Sequence, residues 1–490
     1  MVEIDELTID QVHSAYKNGT FTCRQLVEAY LERIELLDKN GPKLNAITAV
    51  SVFALDEADA LDGKLKASGE FVGPLHGIPV IVKDQCDTIG IETTYGNITC
   101  KHVPTTDATL VKKLKDAGAV VLAKSTMPDF AASFSSASSV SGVTLCPYDI
   151  TRETGGSSAG SGAAIAANYG LIGVGEDTGG SIRVPASFCN LVGLRPTVGL
   201  VSRTGLSPLV KFQDTPGPMT RTVKDAALML DVLVGYDPLD PYTASIALAG
   251  QPRGGSYAAN LSTEYLPKAR IGVLNSVFGD EASSECAAVN KVIRNALEKI
   301  SGTGTTLIDI VIPKLDHYVA ITNIYMSRSR FDINNFLQTR PALKTSVQSI
   351  AASNSYHPSL ALFRKLSTSF ESPFDDPMYA QRIEEHAEFQ RLVIGIMTEN
   401  KLDAIAFPSV KIPAPLVSDV VGTRFEDDFP SNTIVGSQLR FPAISIPVGF
   451  TDEGLPVGLE LLGVLYQEQT LLELAFGVEA LTKGRRAPKF

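Results

Sequence analysis

Two clusters of glycine and serine in the first half of the chain have the residue types needed for acyl transfer. They span 155–158 and 177–181, and Ser157 and Ser181 lie 24 positions apart. The adjacent glycines of the second cluster allow a tight turn that points successive backbone N–H groups inward, where they can hold the oxyanion of a tetrahedral intermediate. Because Ser181 directly follows these glycines, it is well placed to attack a carbonyl carbon.

A serine nucleophile also needs a base, because its hydroxyl is weakly nucleophilic at its own pKa. Lys83 follows an apolar run at 78–82 that is typical of a short buried strand. Burial disfavours the charged form of a lysine, and a neutral amine can accept a proton. On residue type alone, however, a surface Lys83 paired with Asp84 is the favoured interpretation.

The glycine-rich stretch is open to other interpretations. A flexible linker is disfavoured because the stretch runs directly into helix-forming alanines at 163–167. A phosphate loop is excluded because the pattern G-x-x-x-x-G-K-[ST] does not occur. The pattern G-x-S-x-G at 156–160 is typical of an α/β-hydrolase with Ser158 as its nucleophile. Three downstream histidines are candidates for the base of such an enzyme: His317, His357 and His386.

The elements that must position these residues follow an α/β pattern. Strands are predicted at 46–50, 78–82 and 119–123, and helices at 53–67 and 108–117. Asp107 is predicted to cap the second of these helices. Between Ser157 and Ser181 there is room for one helix and one strand, so both loops can return to the same edge of a sheet. This succession predicts a sheet with helices on its faces.

The chain divides into segments of different predicted structure. Residues 1–70 are predicted to be mainly helical, and 70–235 to form the catalytic core. Residues 315–400 are polar and helical with interspersed aromatic side chains, which predicts a helical insertion that contributes to the substrate pocket. Strand patterns return at 404–407 and 443–448.

Composition narrows the classes of function. The net charge of −11 supplies no basic face for nucleic acid. The six cysteines are scattered without a C-x-x-C pair, so we expect reduced thiols and no metal site. The acidic N-terminus lacks an apolar signal region, and no apolar run is long enough to span a membrane. We therefore expect a cytoplasmic protein that binds neither nucleic acid nor membrane.

Six long motifs occur in order along the chain and together resemble the amidase signature family. The match is closest to its peptide-amidase-like branch, through QDTPGPMTRTV at 213–223. The motifs are GPLHGIPVIVKD at 73–84, TGGSSAGS at 154–161, GEDTGGSIRVPA at 175–186, GLRPTVGLVSRTG at 193–205, DTPGPMTRTVKDAA at 214–227 and GLPVGLELLG at 454–463.

The resemblance implies a fold and a set of site residues. The fold is α/β: a single large domain over 1–490, with a central mixed, twisted β-sheet flanked by helices on both faces. It implies a triad of Ser181 as nucleophile, Ser157 as the bridging serine on a cis peptide, and Lys83 as base. The implied oxyanion and substrate-binding residues are Thr178, Gly179, Gly180, Ser181 and Ala131. The implied supporting residues are Ser158, Asp177 and Arg183.

The activity implied is hydrolysis of the C–N bond of a small-molecule amide through an acyl-enzyme, without metal or organic cofactor. Within the family, a carbamate or ester hydrolase and a glutamine-dependent amidotransferase subunit would share the triad. A non-catalytic binding protein is disfavoured because all three triad residues are present. A homodimer is the default expectation for oligomeric state.

Two positions depart from the family pattern. Glu176 stands where a small or hydroxyl residue is usual, and Thr126 where asparagine is common. We expect the Glu176 side chain to point away from the core of the site. Neither departure touches the triad, so activity is expected to survive.

Overall fold

The structure is a computed structural model that describes residues 2–422, 424–425 and 428–490. In chain order the strands are Ile47–Val50 (β1), Pro79–Lys83 (β2), Val120–Ser125 (β3), Leu145–Cys146 (β4), Asp149–Glu153 (β5), Ile172–Asp177 (β6), Val192–Arg195 (β7), Thr215–Thr220 (β8), Arg270–Val273 (β9), Thr306–Asp309 (β10), Ala404–Pro408 (β11), Ala443–Phe450 (β12) and Pro456–Leu462 (β13). Strands β4 and β5 form a small separate hairpin.

The helices complete the α/β architecture. They are Ile9–Asn18 (α1), Cys23–Ile34 (α2), Ala54–Ser68 (α3), Thr109–Asp116 (α4), Ala159–Ala166 (α5), Arg183–Phe188 (α6), Val223–Leu233 (α7), Ile246–Ala249 (α8), Ser284–Gly302 (α9), Leu315–Ile321 (α10), Tyr325–Gln338 (α11), Val347–Ala352 (α12), Ala361–Leu366 (α13), Tyr379–Asn400 (α14), Val417–Val421 (α15), Ile434–Leu439 (α16) and Glu468–Thr482 (α17).

One large sheet organises the described chain. Its 11 strands run in the order β1-β3-β2-β6-β8-β7-β12-β13-β11-β9-β10. Strand β2 lies parallel to β3 and β6, whereas the pairs β6–β8, β8–β7, β7–β12 and β12–β13 are antiparallel. The prediction of a single α/β domain with a mixed sheet flanked by helices is confirmed.

The parallel pairing of β2 and β6 determines where the site forms. Val82 is in register with Val174, so the carboxyl ends of both strands meet at one edge of the sheet. Helix α5 follows the first glycine-rich loop and leads back to the start of β6. The first loop, before α5, and the second loop, after β6, therefore lie at the same edge of the sheet. Ligands bind preferentially at such an edge in open α/β sheets.

The five elements predicted over the first 125 residues are all present, with bounds shifted by one or two residues. The predicted cap of α4 is wrong. Ala108 occupies the N-cap position, and the Asp107 carboxylate instead accepts hydrogen bonds from Ile89 N at 2.8 Å and Lys115 Nζ at 3.0 Å. A loop amide and a lysine outcompete the helix end for this side chain. Among the described residues, no helix is both long and apolar enough to cross a membrane.

Candidate functional site

Lys83 lies at the carboxyl end of β2 and is fully buried. Its Nζ donates hydrogen bonds to Ser157 Oγ at 2.9 Å and to the Glu176 carbonyl at 3.2 Å. Burial lowers the pKa of Lys83 below its ordinary value, because a charged ammonium loses its hydration there. The interpretation of Lys83 as a surface residue paired with Asp84 is wrong, since Asp84 faces the buried Lys124 at 3.5 Å.

Ser157 is carried by the loop between β5 and α5. Gly156 N donates to the Phe134 carbonyl at 2.6 Å, and the Gly156–Ser157 peptide bond is cis. A Cβ at Gly156 would overlap the carbonyl oxygen of Ser135, so glycine is required for this close approach. The loop therefore packs tightly against 134–135 while the Ser157 hydroxyl contacts Lys83.

The loop that follows β6 has its carbonyl groups engaged by surrounding residues. Gln213 Nε2 donates to the Thr178 carbonyl at 2.8 Å, and Thr433 Oγ1 to the Gly179 carbonyl at 2.9 Å. The Gly180 carbonyl accepts from the first turn of α6 at 2.8 Å.

These three bonds orient the peptide planes of the loop. In a trans peptide the N–H points opposite to the preceding carbonyl. The N–H groups of Gly179, Gly180 and Ser181 consequently face away from these partners, and none of them has an acceptor among the described residues. A Cβ at Gly180, whose φ is +139°, would overlap the Thr433 hydroxyl. This arrangement can hold an oxyanion.

A buried network of charges lies beneath that loop. Asp177 contacts Arg183 at 3.1 Å and Arg195 at 2.8 Å, and Arg183 also pairs with Glu460. Burial alone would raise the pKa of Asp177, but the two guanidinium groups hold it well below its usual range. The Asp177 carboxylate also accepts from Ile182 N at 3.1 Å, which joins the network to the chain just after Ser181.

Ser158 links the first glycine-rich loop to the end of β6 and to Ser181. Its hydroxyl donates to the Glu176 carbonyl and accepts from Glu176 N, both at 3.2 Å, and its own N–H donates to the Ser181 carbonyl at 3.1 Å. These bonds join the two glycine-rich loops and engage Ser158 with backbone. Among the described residues, no hydrogen bond connects the hydroxyls of Ser157 and Ser181 directly.

The expectation that Glu176 points away from the site is wrong. Its side chain is 1% exposed, and its Oε2 lies 3.7 Å from Lys83 Nζ. Burial, with a further contribution from Asp214, raises the pKa of Glu176 to about 8. Strand β6 alternates its side chains, and position 176 falls on the side that faces Lys83. Thr126, the other departure, is buried and bonds through its hydroxyl to Thr144 at 2.6 Å.

Ser181 lines a cavity of about 760 Å³. Ala131, with φ +60°, also lines it, as do residues of α10, α11 and α13 within the region 315–400. The rings of Phe134 and Phe429 stack at the cavity with their centroids 5.5 Å apart. A cavity of this size suits a ligand larger than a single small amide group.

Several residues of the site were not identified from the sequence. Gln213 belongs to a recognised motif, which was a usable signal for its role at Thr178. Thr433, Tyr325 and Phe429 lie in segments without a motif, and only the folded chain brings them to the cavity and the loop. The three histidines proposed for an α/β-hydrolase do not hydrogen-bond Ser158; His386, for example, bonds through Nδ1 to the Gln438 carbonyl at 2.8 Å.

Comparisons with known proteins identify the family of the chain. The amidase family profile matches residues 25–472. A glutamyl-tRNA(Gln) amidotransferase subunit of Alkaliphilus metalliredigens (strain QYMF) is 34% identical over 98% of this chain and 97% of its own. The native peptide amidase of Stenotrophomonas maltophilia superposes with a TM-score of 0.88 at 30% identity, over 99% of both chains.

A second solved structure extends the comparison. The corresponding glutamyl-tRNA(Gln) amidotransferase subunit of Thermotoga maritima superposes with a TM-score of 0.75 at 25% identity, over 100% of this chain and 98% of its own. The predictions of family and of an amide-hydrolysing enzyme are confirmed: the chain belongs to the amidase family.

Proposed function

We propose that the protein hydrolyses amides with Ser181 as nucleophile, Ser157 as proton relay and Lys83 as base. One observation carries the proposal: a fully buried lysine amine lies 2.9 Å from Ser157 Oγ, at the sheet edge where the Ser181 loop faces the cavity. Burial favours the neutral amine, which is the form that can accept a proton.

In the first half-reaction the Ser181 oxygen attacks the amide carbon and its proton passes to Ser157, whose own proton passes to Lys83. The carbonyl oxygen becomes an oxyanion held by the N–H groups of Gly179, Gly180 and Ser181, with Thr178 completing the loop. A donor of this kind contributes about 3–4 kcal/mol to the stability of the transition state.

Collapse of the intermediate breaks the C–N bond. Ser157 returns a proton to the leaving nitrogen and is reprotonated from Lys83, which leaves an acyl-enzyme and releases ammonia or an amine. Water then attacks the acyl-enzyme along the same proton route and releases the carboxylate. Ser158, Asp177 and Arg183 are proposed to hold the two loops in place through the bonds described above.

The cavity supports amides with a sizeable apolar or aryl acyl group as substrates. Its volume falls in the range of about 300–1,000 Å³ usual for small-molecule sites, and stacked Phe134 and Phe429 line it. Esters and carbamates could react by the same route. All six cysteines are free thiols, which is consistent with our proposal of a cytoplasmic, reducing location.

A second candidate is a glutamine-dependent amidotransferase subunit. The 34% identity to the Alkaliphilus protein favours it. The higher TM-score with the peptide amidase, 0.88 against 0.75 for the Thermotoga protein, supports a stand-alone hydrolase instead. Turnover of aryl amides by the purified chain alone would favour the hydrolase, and turnover of glutamine restricted to the presence of partners would favour the amidotransferase.

The test of the nucleophile compares Ser181→Ala with Ser158→Ala on a panel of primary amides, anilides, peptide amides, esters and carbamates. Ser181→Ala should lower kcat by about 10⁶-fold, as removal of a serine nucleophile does elsewhere. Ser158→Ala should retain far more activity. A sulfonyl fluoride should label Ser181 in peptide mapping. If Ser158 is labelled, or if Ser181→Ala keeps full activity, the proposed mechanism is wrong and that of an α/β-hydrolase replaces it.

A further inference from the structure

A second ionisable side chain lies beside the proposed base. The Glu176 carboxyl group is buried at the end of β6, and its Oε2 lies 3.7 Å from Lys83 Nζ without a hydrogen-bond partner among the described residues. Its Oε1 lies 3.4 Å from Thr178 Oγ1, but the single proton of that hydroxyl is directed to Asp214 at 2.7 Å. A buried carboxyl group so weakly hydrogen-bonded interacts chiefly with the nearest opposite charge, which is Lys83.

Other charged groups near the pair are engaged elsewhere. Asp177 is held by Arg183 and Arg195, as described above. Asp214 accepts from Thr178 Oγ1 at 2.7 Å and from backbone N–H groups at 209–210. The titratable and charged groups that face the pair from neighbouring elements are Cys86, Asp177, Arg195, Asp214 and Tyr325.

Three oxygen atoms that can accept a hydrogen bond lie near Lys83 Nζ. Ser157 Oγ and the Glu176 carbonyl are within hydrogen-bonding distance, and Glu176 Oε2 lies in reach at 3.7 Å. An ammonium has three N–H donors for these three oxygens, whereas a neutral amine has two and must keep a lone pair for the Ser157 proton. When the single proton of the pair lies on Lys83, Glu176 carries the negative charge and stabilises this inactive ammonium form.

We propose that Glu176 shares a proton with Lys83 and thereby raises the pH at which Lys83 becomes a free amine. Glu176 acts through Lys83 and touches no reacting atom, so it is a positioning residue. The inference rests on the proposed function, because it concerns the protonation state of the proposed base. When Lys83 becomes the active amine, the proton leaves the pair for solvent.

The consequence is a pH dependence that this glutamate sets. An opposite charge within about 4–6 Å shifts a pKa by about 1–3 units in favour of the charged form. Glu176→Gln keeps the shape of the side chain and removes that charge. We expect the acid limb of kcat/KM to move down by about 1–3 pH units, so that activity persists at a pH where the wild-type enzyme has lost it.

The experiment measures kcat/KM against pH for the wild-type protein, Glu176→Gln and Glu176→Asp with one hydrolysed amide. Glu176→Asp should move the acid limb of kcat/KM part of the way back to its wild-type position, because the shorter side chain returns a carboxylate at a greater distance from Lys83. Glu468→Gln is the matched control: Glu468 is also buried but bonds to Thr197 N at 2.7 Å, and its variant should keep the wild-type limb. If Glu176→Gln does not fold, Glu176→Ser provides the same measurement.

A second readout separates the two proposals. The rate at which a fluorophosphonate labels Ser181 is followed against pH in the same variants, which needs no amide substrate. If the wild-type protein neither hydrolyses amides nor labels at Ser181, the proposed function fails. If it does both, but the acid limb of Glu176→Gln coincides with that of the wild type, only the role of Glu176 is overturned.

Discussion

The two sides of the cavity differ in how their residues are held. The sheet side comprises Lys83, Ser157 and the loop 178–181, and these groups are buried and bonded to backbone carbonyls, hydroxyls or charges. The helical side comprises 315–366, 411–422, 424–425 and 428–435, and its lining combines apolar and aromatic side chains with charged ones such as Asp316, Arg364 and Lys411. The difference supports our proposal that the sheet side performs the chemistry and the helical side selects the substrate.

Within the sheet side, two buried lysines on neighbouring strands offer a sharper contrast. Lys83 contacts Ser157 and Glu176, whereas Lys124 on β3 donates to the Cys86 carbonyl at 2.6 Å and to Thr93 Oγ1 at 2.7 Å and faces Asp84. Burial alone therefore does not distinguish a base from a structural cation. Both amines contact a hydroxyl, and the difference is where that hydroxyl lies: Ser157 belongs to the loop that is bonded to Ser181, whereas Thr93 does not.

The largest expected effect separates these two lysines. Lys83→Met should lower kcat by about 10²–10⁴-fold, the usual contribution of a general base, with a native fold. Lys124→Met should cost about 3–5 kcal/mol of the free energy of unfolding, because Asp84 loses its buried counter-charge. Amide turnover and urea unfolding of both variants check this. A Lys83→Met protein with wild-type kcat would remove the base from the mechanism.

An intermediate effect is expected where the helical side touches the Ser181 loop. Thr433→Val removes the bond to the Gly179 carbonyl and should lower kcat by about 10-fold, less than loss of an oxyanion donor itself. Thr305→Val is the control, because it removes a similar buried bond to the Leu266 carbonyl, at 2.6 Å, far from the loop. Both should lose about 1 kcal/mol of stability. Equal kcat in the two variants would contradict the orienting role of Thr433.

The smallest effect concerns selectivity. Phe429→Ala removes one ring of the stacked pair, so KM for aryl amides should rise by about 3- to 10-fold while kcat changes little. Phe374→Ala, at an exposed ring, should leave KM unchanged. Steady-state kinetics with an aryl amide and a short aliphatic amide test this. A fall in kcat for both substrates would show that the two sides are not separate in function.

The comparison also explains what could be predicted from the sequence. The strands, helices and loops that carry Lys83, Ser157 and Ser181 follow from local patterns, because each is encoded by a contiguous motif. The burial of Lys83 does not, since its neighbours come from β3 and β6. The orientation of Glu176 was predicted wrongly because a free carboxylate is expected to seek water, and only the register of β6 fixes it toward Lys83.

The helical side was predicted only as a helical insertion. Its hydrogen bond to the loop 178–181 joins Thr433 and Gly179, which lie 254 positions apart, and no period or spacing encodes it. The failed cap at Asp107 has a similar origin, because Ile89 and Lys115 reach its carboxylate only in the folded chain. Chemistry that depends on local motifs is readable in one sequence, and specificity that depends on distant packing is not.

The bond between Thr433 and Gly179 has a consequence for synthesis of the protein. It spans 254 positions, and the pair Arg183–Glu460 spans 277. A ribosome adds the three proposed triad residues long before it adds the segments that orient the loop 178–181. We expect the nascent chain to remain inactive until the segments that carry Thr433 and Glu460 have emerged.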